Sequence, residues 1–219
     1  MMQRVHDVVA EVAPHDSVER YTNLGVEVLK GYGKLLDPWT VEVAYEDGTT
    51  SKLTTRSIVI ATGARPFVPP LPGIEESGYV TSDTLWSEFA KLDETPEKLV
   101  VLGGGPIGCE LAQSFSRLGS NIIQIEMAER IMIREDVEVS EFATDALKNS
   151  GITILTSHQA LRCERREDKK FIIVKHDEQE IEIEYDQLLC AVGRSARLEG
   201  YGLEELGIEP IALSLLTNT

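Results

Sequence analysis

Two features of this sequence carry residue types at a spacing that could do chemistry together. Leu99 to Gly108 reads L-V-V-L-G-G-G-P-I-G, and Glu126 stands eighteen positions beyond the last of these glycines, closing the run N-I-I-Q-I-E. Gly103, Gly105 and Gly108 fill the G-x-G-x-x-G positions of a phosphate-cradling turn. The first glycine allows a tight strand-to-helix bend, the second lets backbone approach a pyrophosphate, and the third lets helix and strand pack closely. Pro106 at the start of the helix gives up an amide that would have no intrahelical partner, and the remaining N–H groups with the helix dipole favour an anion. The whole turn, Gly103, Gly104, Gly105, Pro106, Ile107 and Gly108, is therefore the candidate pyrophosphate site. Glu126 would accept hydrogen bonds from adenosine ribose hydroxyls and would repel a 2′-phosphate, which favours NAD over NADP. Arg130, four residues on, could reach such a phosphate and weakens that preference.

This chemistry requires particular elements to position it. Leu99 to Leu102 reads as a buried parallel strand, Pro106 to Leu118 as the helix after it, and Asn121 to Ile125 as the next strand. A helix over Val137 to Lys148, ended by Gly151, leads to a strand at Ile152 to Leu155. Phe171 to Lys175 and Glu180 to Glu184 alternate around a polar turn as a hairpin, and Gln187 to Val192 is one more buried strand, stopped at Gly193. The fold class is α/β, a Rossmann-like parallel sheet with a β-meander.

Upstream the character differs. Val5, Val8, Val9 and Val12 recur at helical spacing, and a second short helix ends at Gly25. Val26 to Leu29, Lys34 to Leu36, Thr40 to Tyr45 and Ser51 to Thr54 read as an antiparallel meander with a turn at Glu46 to Thr49. Ser57 to Ala61 is a continuous apolar run expected to be a central strand. The proline-rich stretch 66–73 is expected to be a linker, and Thr81 to Asp83 to cap a helix over Thr84 to Lys91. Domains are expected at 1–80, 81–197 and 198–219.

With 219 residues and 42% hydrophobic content, the chain can build a sizeable core. Thirty-seven acidic against twenty-one basic residues give a net charge of −16, which argues against nucleic acid or anionic membranes as partners. The basic clusters at Arg162 to Arg166 and Lys169 to Lys170 are interrupted by acids and suit a solvated hairpin. No apolar run approaches the roughly 20 residues of a membrane span, and the N-terminus lacks the apolar core of a signal peptide. Cys109, Cys163 and Cys190 have no disulfide or metal spacing and lie in apolar stretches, as buried thiols of a cytoplasmic protein would. His6, His15, His158 and His176 have no metal-ligand spacing, and Trp39 and Trp86 are expected to be packing residues.

Three motifs in order then carry a resemblance: T-T-R-S-I-V-I-A-T-G-A-R-P at Thr54 to Pro66, G-G-G-P-I-G-C-E-L-A at Gly103 to Ala112, and L-L-C-A-V-G-R-S-A-R at Leu188 to Arg197. The sequence resembles the class I pyridine nucleotide-disulfide oxidoreductases, the group of dihydrolipoamide dehydrogenase, glutathione reductase and the mercuric-reductase-like branch. The resemblance implies an FAD-dependent enzyme that passes hydride between NAD(H) and FAD and reduces a disulfide or related small-molecule acceptor, commonly as a homodimer. It places Glu110 and Gly193 near the nicotinamide, and Ala61, Thr62 and Gly63 beside FAD, with Tyr32 and Gly33 as backbone meeting the adenine of FAD. Ala196 and Arg197 depart from the Pro and Asn frequent in the family. The sequence matches the family's middle: no two cysteines are five positions apart, so the redox pair is absent here, no catalytic residue is assigned, and this portion alone is expected to be inactive. Two alternatives stay open: a non-catalytic NAD-binding regulatory module, and a flavoenzyme of the NADH oxidase or ferredoxin reductase type with a different acceptor.

Overall fold

The apolar runs around the glycine turn assemble into a parallel sheet in the computed structural model, which describes residues 2–208. The described residues divide into two compact units, residues 2–64 with 196–208, and residues 65–195.

The first unit begins with α1 (Met2–Val12) and α2 (Val18–Asn23), the second capped by Ser17, whose side chain accepts the Arg20 N–H. Strands β1 (Tyr32–Asp37), β2 (Thr40–Ala44) and β3 (Thr50–Thr54) form an antiparallel meander in the order β1-β2-β3. Its small core sets Leu35 against Tyr201 and Leu203, and the Leu35 N–H donates to the Tyr201 carbonyl. The chain passes between the units through β4 (Ala64–Pro66).

The second unit adds α3 (Ile74–Ser77), β5 (Val80–Thr81), α4 (Leu85–Phe89), β6 (Lys98–Leu102), α5 (Pro106–Arg117), β7 (Asn121–Ile125), α6 (Val137–Asn149) and β8 (Thr153–Leu155). Then follow β9 (Gln159–Arg166), β10 (Lys169–His176), β11 (Gln179–Tyr185), β12 (Gln187–Cys190) and the returning strand β13 (Arg194–Ala196). The five-stranded sheet runs β5-β12-β6-β7-β8, with every neighbouring pair parallel. Between β8 and β12 the crossover is the antiparallel meander β9 to β11. Because side chains alternate along a strand, Val100 and Leu102 pack with Leu188 and Cys190 against Ile172, Val174, Ile183 and Tyr185 of that meander. α5 buries Gly108, Cys109, Ala112 and Phe115, one face at helical spacing, and Phe115 meets Phe89 edge to face at 5.3 Å between centroids.

Several expectations need correcting. Val26 to Leu29 is not a strand: the Val26 N–H donates to the Tyr21 carbonyl and the Gly25 N–H to Thr22, a double bond pattern that closes α2. Ser57 to Ala61 joins none of the sheets among the described residues, and Val59 is 88% exposed. Its apolar composition suits a strand covered on both faces, but a strand forms only beside a ladder partner. The proline-rich stretch 66–73 is packed rather than a free linker. Val68 and Leu71 lie against the core, the Cys163 N–H donates to the Pro72 carbonyl, and a Cβ on Gly73 would stand 2.1 Å from the Cys163 carbonyl oxygen. The compact units meet at 64/65 and 195/196 in the sequence. Arg162 to Arg166 belongs to a full third strand, β9, so the expected hairpin is a three-stranded meander. The helix expected over Thr84 to Lys91 is shorter, Leu85–Phe89, and its N-cap is Thr84, whose hydroxyl accepts the Thr81 N–H and makes no capping bond. Trp39 and Trp86 are exposed rather than packed. The segment 209–219, where the third expected domain ends, lies outside the described residues.

Candidate functional site

β6 delivers the chain to Gly103, which turns it at φ 116°, a backbone conformation that L side chains rarely adopt. A Cβ there would lie 2.4 Å from the Ala191 carbonyl oxygen, and one on Gly108 would lie 2.4 Å from that of Gly103. These glycines are closed by the protein itself. Gly105 is different: nothing lies within 4 Å of the place its Cβ would take. It caps α5 without a side-chain hydrogen bond, and Pro106 follows in the first turn. The first amides of α5, which have no intrahelical acceptor, are therefore presented beside an open stretch of backbone, a cradle that fits an anionic group.

At the end of β7 the Glu126 carboxylate reaches back to this turn. Its Oε2 accepts the Gly104 N–H at 2.6 Å and its Oε1 accepts the Ala128 N–H at 2.7 Å. Each carboxylate oxygen keeps a further lone pair for a hydroxyl donor. The loop that follows is tied to the turn by the Met132 N–H, which donates to the Gly104 carbonyl at 2.7 Å, and by the buried Ser140 hydroxyl, which donates to the Ile131 carbonyl at 2.7 Å. Arg130 does not stand ready for a phosphate. Its guanidinium donates to the carbonyls of Met132, Ile133 and Glu135 at 2.9–3.1 Å, so its donors organise this loop.

The residues expected at the nucleotide thus converge in part. Gly103 to Gly108 and Glu126 are brought together, and the Ala191 N–H donates to the Leu102 carbonyl, which sets the chain leading to Gly193 beside the turn. Gly193 has φ 139° and its carbonyl accepts the Phe67 N–H. The Glu110 side chain is exposed on α5. Arg194 donates to Asp83 at 2.8 Å and to the Ser82 hydroxyl at 3.1 Å, a lock on the loop after β5 that the sequence pattern did not reveal. The three cysteines are buried, and burial raises the thiol of Cys109 and pushes that of Cys190 up to about 12. His158 is buried and stacks on His176 at 4.3 Å, a packing role. Among the described residues no cluster of three or more His, Cys, Asp or Glu could hold a metal, and no helix is long and apolar enough to cross a membrane.

In the first unit, the Ala61-Thr62-Gly63 turn is held by the returning chain: the Thr62 hydroxyl donates to the Arg197 carbonyl at 2.7 Å, and the Arg197 N–H donates to Gly63. Tyr32 donates its hydroxyl to the Gly200 carbonyl at 2.7 Å. A Cβ on Gly33 would meet only Val41 Cγ1, at an ordinary 3.8 Å, so internal packing does not demand glycine there. Gly31, the residue before β1, is tightly closed, with the Ala44 carbonyl oxygen 2.6 Å from a Cβ, and no spacing pattern marked it.

The strand order, the parallel pairing and the glycine turn define the class as a Rossmann-type α/β unit whose sequence lies between the two segments of a second unit. Comparison with known proteins makes this particular: the chain belongs to the pyridine nucleotide-disulphide oxidoreductase family, matched over residues 3–211. It is 34% identical over 209 residues to a mercuric reductase of Bacillus cereus, an alignment covering 95% of this chain and 32% of that protein. It is 39% identical over 191 residues to a dihydrolipoamide dehydrogenase of Chaetomium thermophilum, covering 84% and 36%. Among solved structures, the HOCl-induced flavoprotein disulfide reductase RclA of Escherichia coli, as its Cu(II) complex, is similar at a TM-score of 0.74 with 28% identity, covering 94% of this chain and 45% of that one. The chain spans about a third of the length of these curated relatives.

Proposed function

We propose that this chain is the nicotinamide-nucleotide-binding portion of an FAD-dependent oxidoreductase that reduces a disulfide or related small-molecule acceptor, and that it takes NAD in preference to NADP. The observation that carries this reading is the Glu126 carboxylate, held by the Gly104 and Ala128 amides next to the glycine turn with lone pairs to spare for ribose hydroxyls. A 2′-phosphate at that position would meet a carboxylate, and Arg130, the nearest cation in sequence, has its guanidinium on three backbone carbonyls.

In this assignment the turn Gly103 to Gly108 cradles the pyrophosphate, with the amides that open α5 as donors while those of Gly103 and Gly104 stay on Ile125 and Glu126; Glu126 holds the adenosine ribose, and Glu110 and Gly193 line the nicotinamide end. Ala61, Thr62, Gly63 and Gly33 belong to an FAD site shared with the rest of the protein. The domain assignment follows: residues 65–195 form the nicotinamide-nucleotide unit, and residues 1–64 with 196–208 form part of the flavin unit. When bound, the nucleotide would supply hydride for a flavin, and the part of residues 65–195 is to hold the nucleotide in place through the glycine turn and Glu126. The relatives named mercuric reductase and dihydrolipoamide dehydrogenase support a redox enzyme; the homodimer belongs to this proposal for the whole protein. Three free, buried thiols suit the reducing cytoplasm.

The test is a fluorescence titration of the chain with NADH and NADPH, repeated on Glu126→Gln. The wild type binds NADH more tightly, and the variant loses NADH affinity by roughly 10- to 100-fold while narrowing the gap to NADPH, as removal of a charge-assisted hydrogen bond implies. Equal affinities in the wild type, or unchanged NADH binding in the variant, would overturn the assignment.

A further inference from the structure

Gln124 is a polar residue at the fourth position of the otherwise apolar strand N-I-I-Q-I, and it is 0% exposed. Its Nε2 donates to the Gly103 carbonyl at 3.0 Å and lies 3.5 Å from the Cys109 sulfur, which itself lies 3.5 Å from the Gly104 carbonyl. The carbonyl can only accept, so the amide nitrogen is the end that faces it. The other end, Oε1, is buried with no hydrogen-bond partner. A leucine or methionine of similar size would fill this site without burying that oxygen, so packing gives no reason for glutamine. What the residue supplies is the hydrogen bond to Gly103.

The carbonyl of Gly103 and the N–H of Gly104 are the two ends of one planar peptide group. Glu126 takes the N–H end at 2.6 Å, and Gln124 takes the C=O end. The two side chains stand two residues apart, at the spacing that places them on one face of an extended chain. This peptide is flanked by glycine on both sides, where rotation meets the least steric resistance. If it turned over, the Gly104 N–H would leave Glu126, and a carbonyl oxygen would face the carboxylate instead.

We propose that Gln124 is a positioning residue for nucleotide binding: with Glu126 it grips both ends of the Gly103–Gly104 peptide, holding the glycine turn and the ribose-binding carboxylate in one arrangement. The proposal rests on the nucleotide-binding reading for its consequence, and on the geometry of the peptide for its cause.

The experiment uses Gln124→Met, close in volume and lacking the donor, with NADH titration, thermal denaturation and hydrogen exchange at the Gly104 amide. NADH binding weakens by about tenfold or more, Gly104 exchange accelerates, and the thermal midpoint stays near that of the wild type. A second variant, Gln124→Glu, supplies an O–H donor while its buried carboxyl is protonated. It binds like the wild type on the acid side and loses affinity as pH rises and the carboxyl ionises, a pH profile that a packing role would not produce. If Gln124→Met bound NADH as tightly as the wild type with unchanged Gly104 exchange, the proposal would be overturned. If the wild type failed to bind NADH, the functional reading would fall, and the clamp would be judged by Gly104 exchange alone: faster in Gln124→Met upholds it, unchanged rejects it.

Discussion

Replacing Gly105 and Gly108 separately by alanine divides ligand binding from folding at two positions only three residues apart. Gly105 has φ −76° and ψ 175°, which any residue adopts, and its Cβ would touch nothing. Alanine at a helix N-cap costs about 0.5–1 kcal/mol against better caps, while the less flexible unfolded chain returns about 0.4–1 kcal/mol. The two cancel, so the thermal midpoint of Gly105→Ala stays within about 2 °C of the wild type. On the proposed placement of the pyrophosphate its methyl group would stand in the way, and NADH affinity falls at least about tenfold, or 1.4 kcal/mol. At Gly108 the Cβ would come 2.4 Å from the Gly103 carbonyl oxygen, which the hydrogen bonds of Gln124 and Glu126 to its peptide hold in place. Overpacking of this kind costs about 1–3 kcal/mol, and the gain in helix propensity returns up to about 1 kcal/mol. A net loss of about 1–2 kcal/mol lowers the midpoint of a chain this size by roughly 2–8 °C. Differential scanning fluorimetry and NADH titration on both variants read the two effects. Unchanged NADH binding by Gly105→Ala at an unchanged midpoint would refute the placement of the pyrophosphate, and a Gly108→Ala as stable as the wild type would refute the packing argument.

The buried thiols should react with a disulfide reagent at pH 8 only after denaturant is added, since burial raises Cys109, Cys163 and Cys190 above their ordinary range; prompt native labelling of Cys190 would contradict its burial. On the β9 to β11 meander, Arg162 and then Arg166 hold Glu164 below the ordinary carboxylate range, and Lys98 and then Lys169 do the same for Glu184. The native carboxyls therefore titrate below the unfolded ones. Their stabilising contribution is complete above about pH 5 and is lost as pH falls through the native titration. Thermal midpoints measured from pH 6 to pH 3 should fall, and less steeply in Glu164→Gln; a parallel decline in both proteins would reject the contribution of Glu164.

Local physics wrote much of this molecule into its sequence. The glycine spacing, the apolar runs on either side and the acid closing the next strand located the βαβ unit, because a tight bend and a buried parallel strand each impose composition on a few adjacent residues. Helix ends were legible for the same reason: Gly25 and Gly151 stand where the chain closes α2 and α6 with paired backbone bonds. Pairing and packing were not legible, since they depend on residues far apart in the chain. Ser57 to Ala61 has strand composition but no ladder, and β9 was hidden because its charged outer face masked its alternation. The proline stretch 66–73 looked free and is pinned to Cys163.

The candidate site divides in the same way. Gly103 to Gly108 and Glu126 could be named from residue type and spacing, since the chemistry of an anion cradle and a ribose acceptor demands those groups. Which groups hold them was decided only by tertiary structure. Arg130 had the charge to meet a phosphate, and the folded loop turned it onto three carbonyls instead. Gln124 carried no signal in the sequence, and only the fold brings its amide to the Gly103 carbonyl, because a hydrogen bond between residues 21 positions apart is fixed by the path of the chain and not by local pattern.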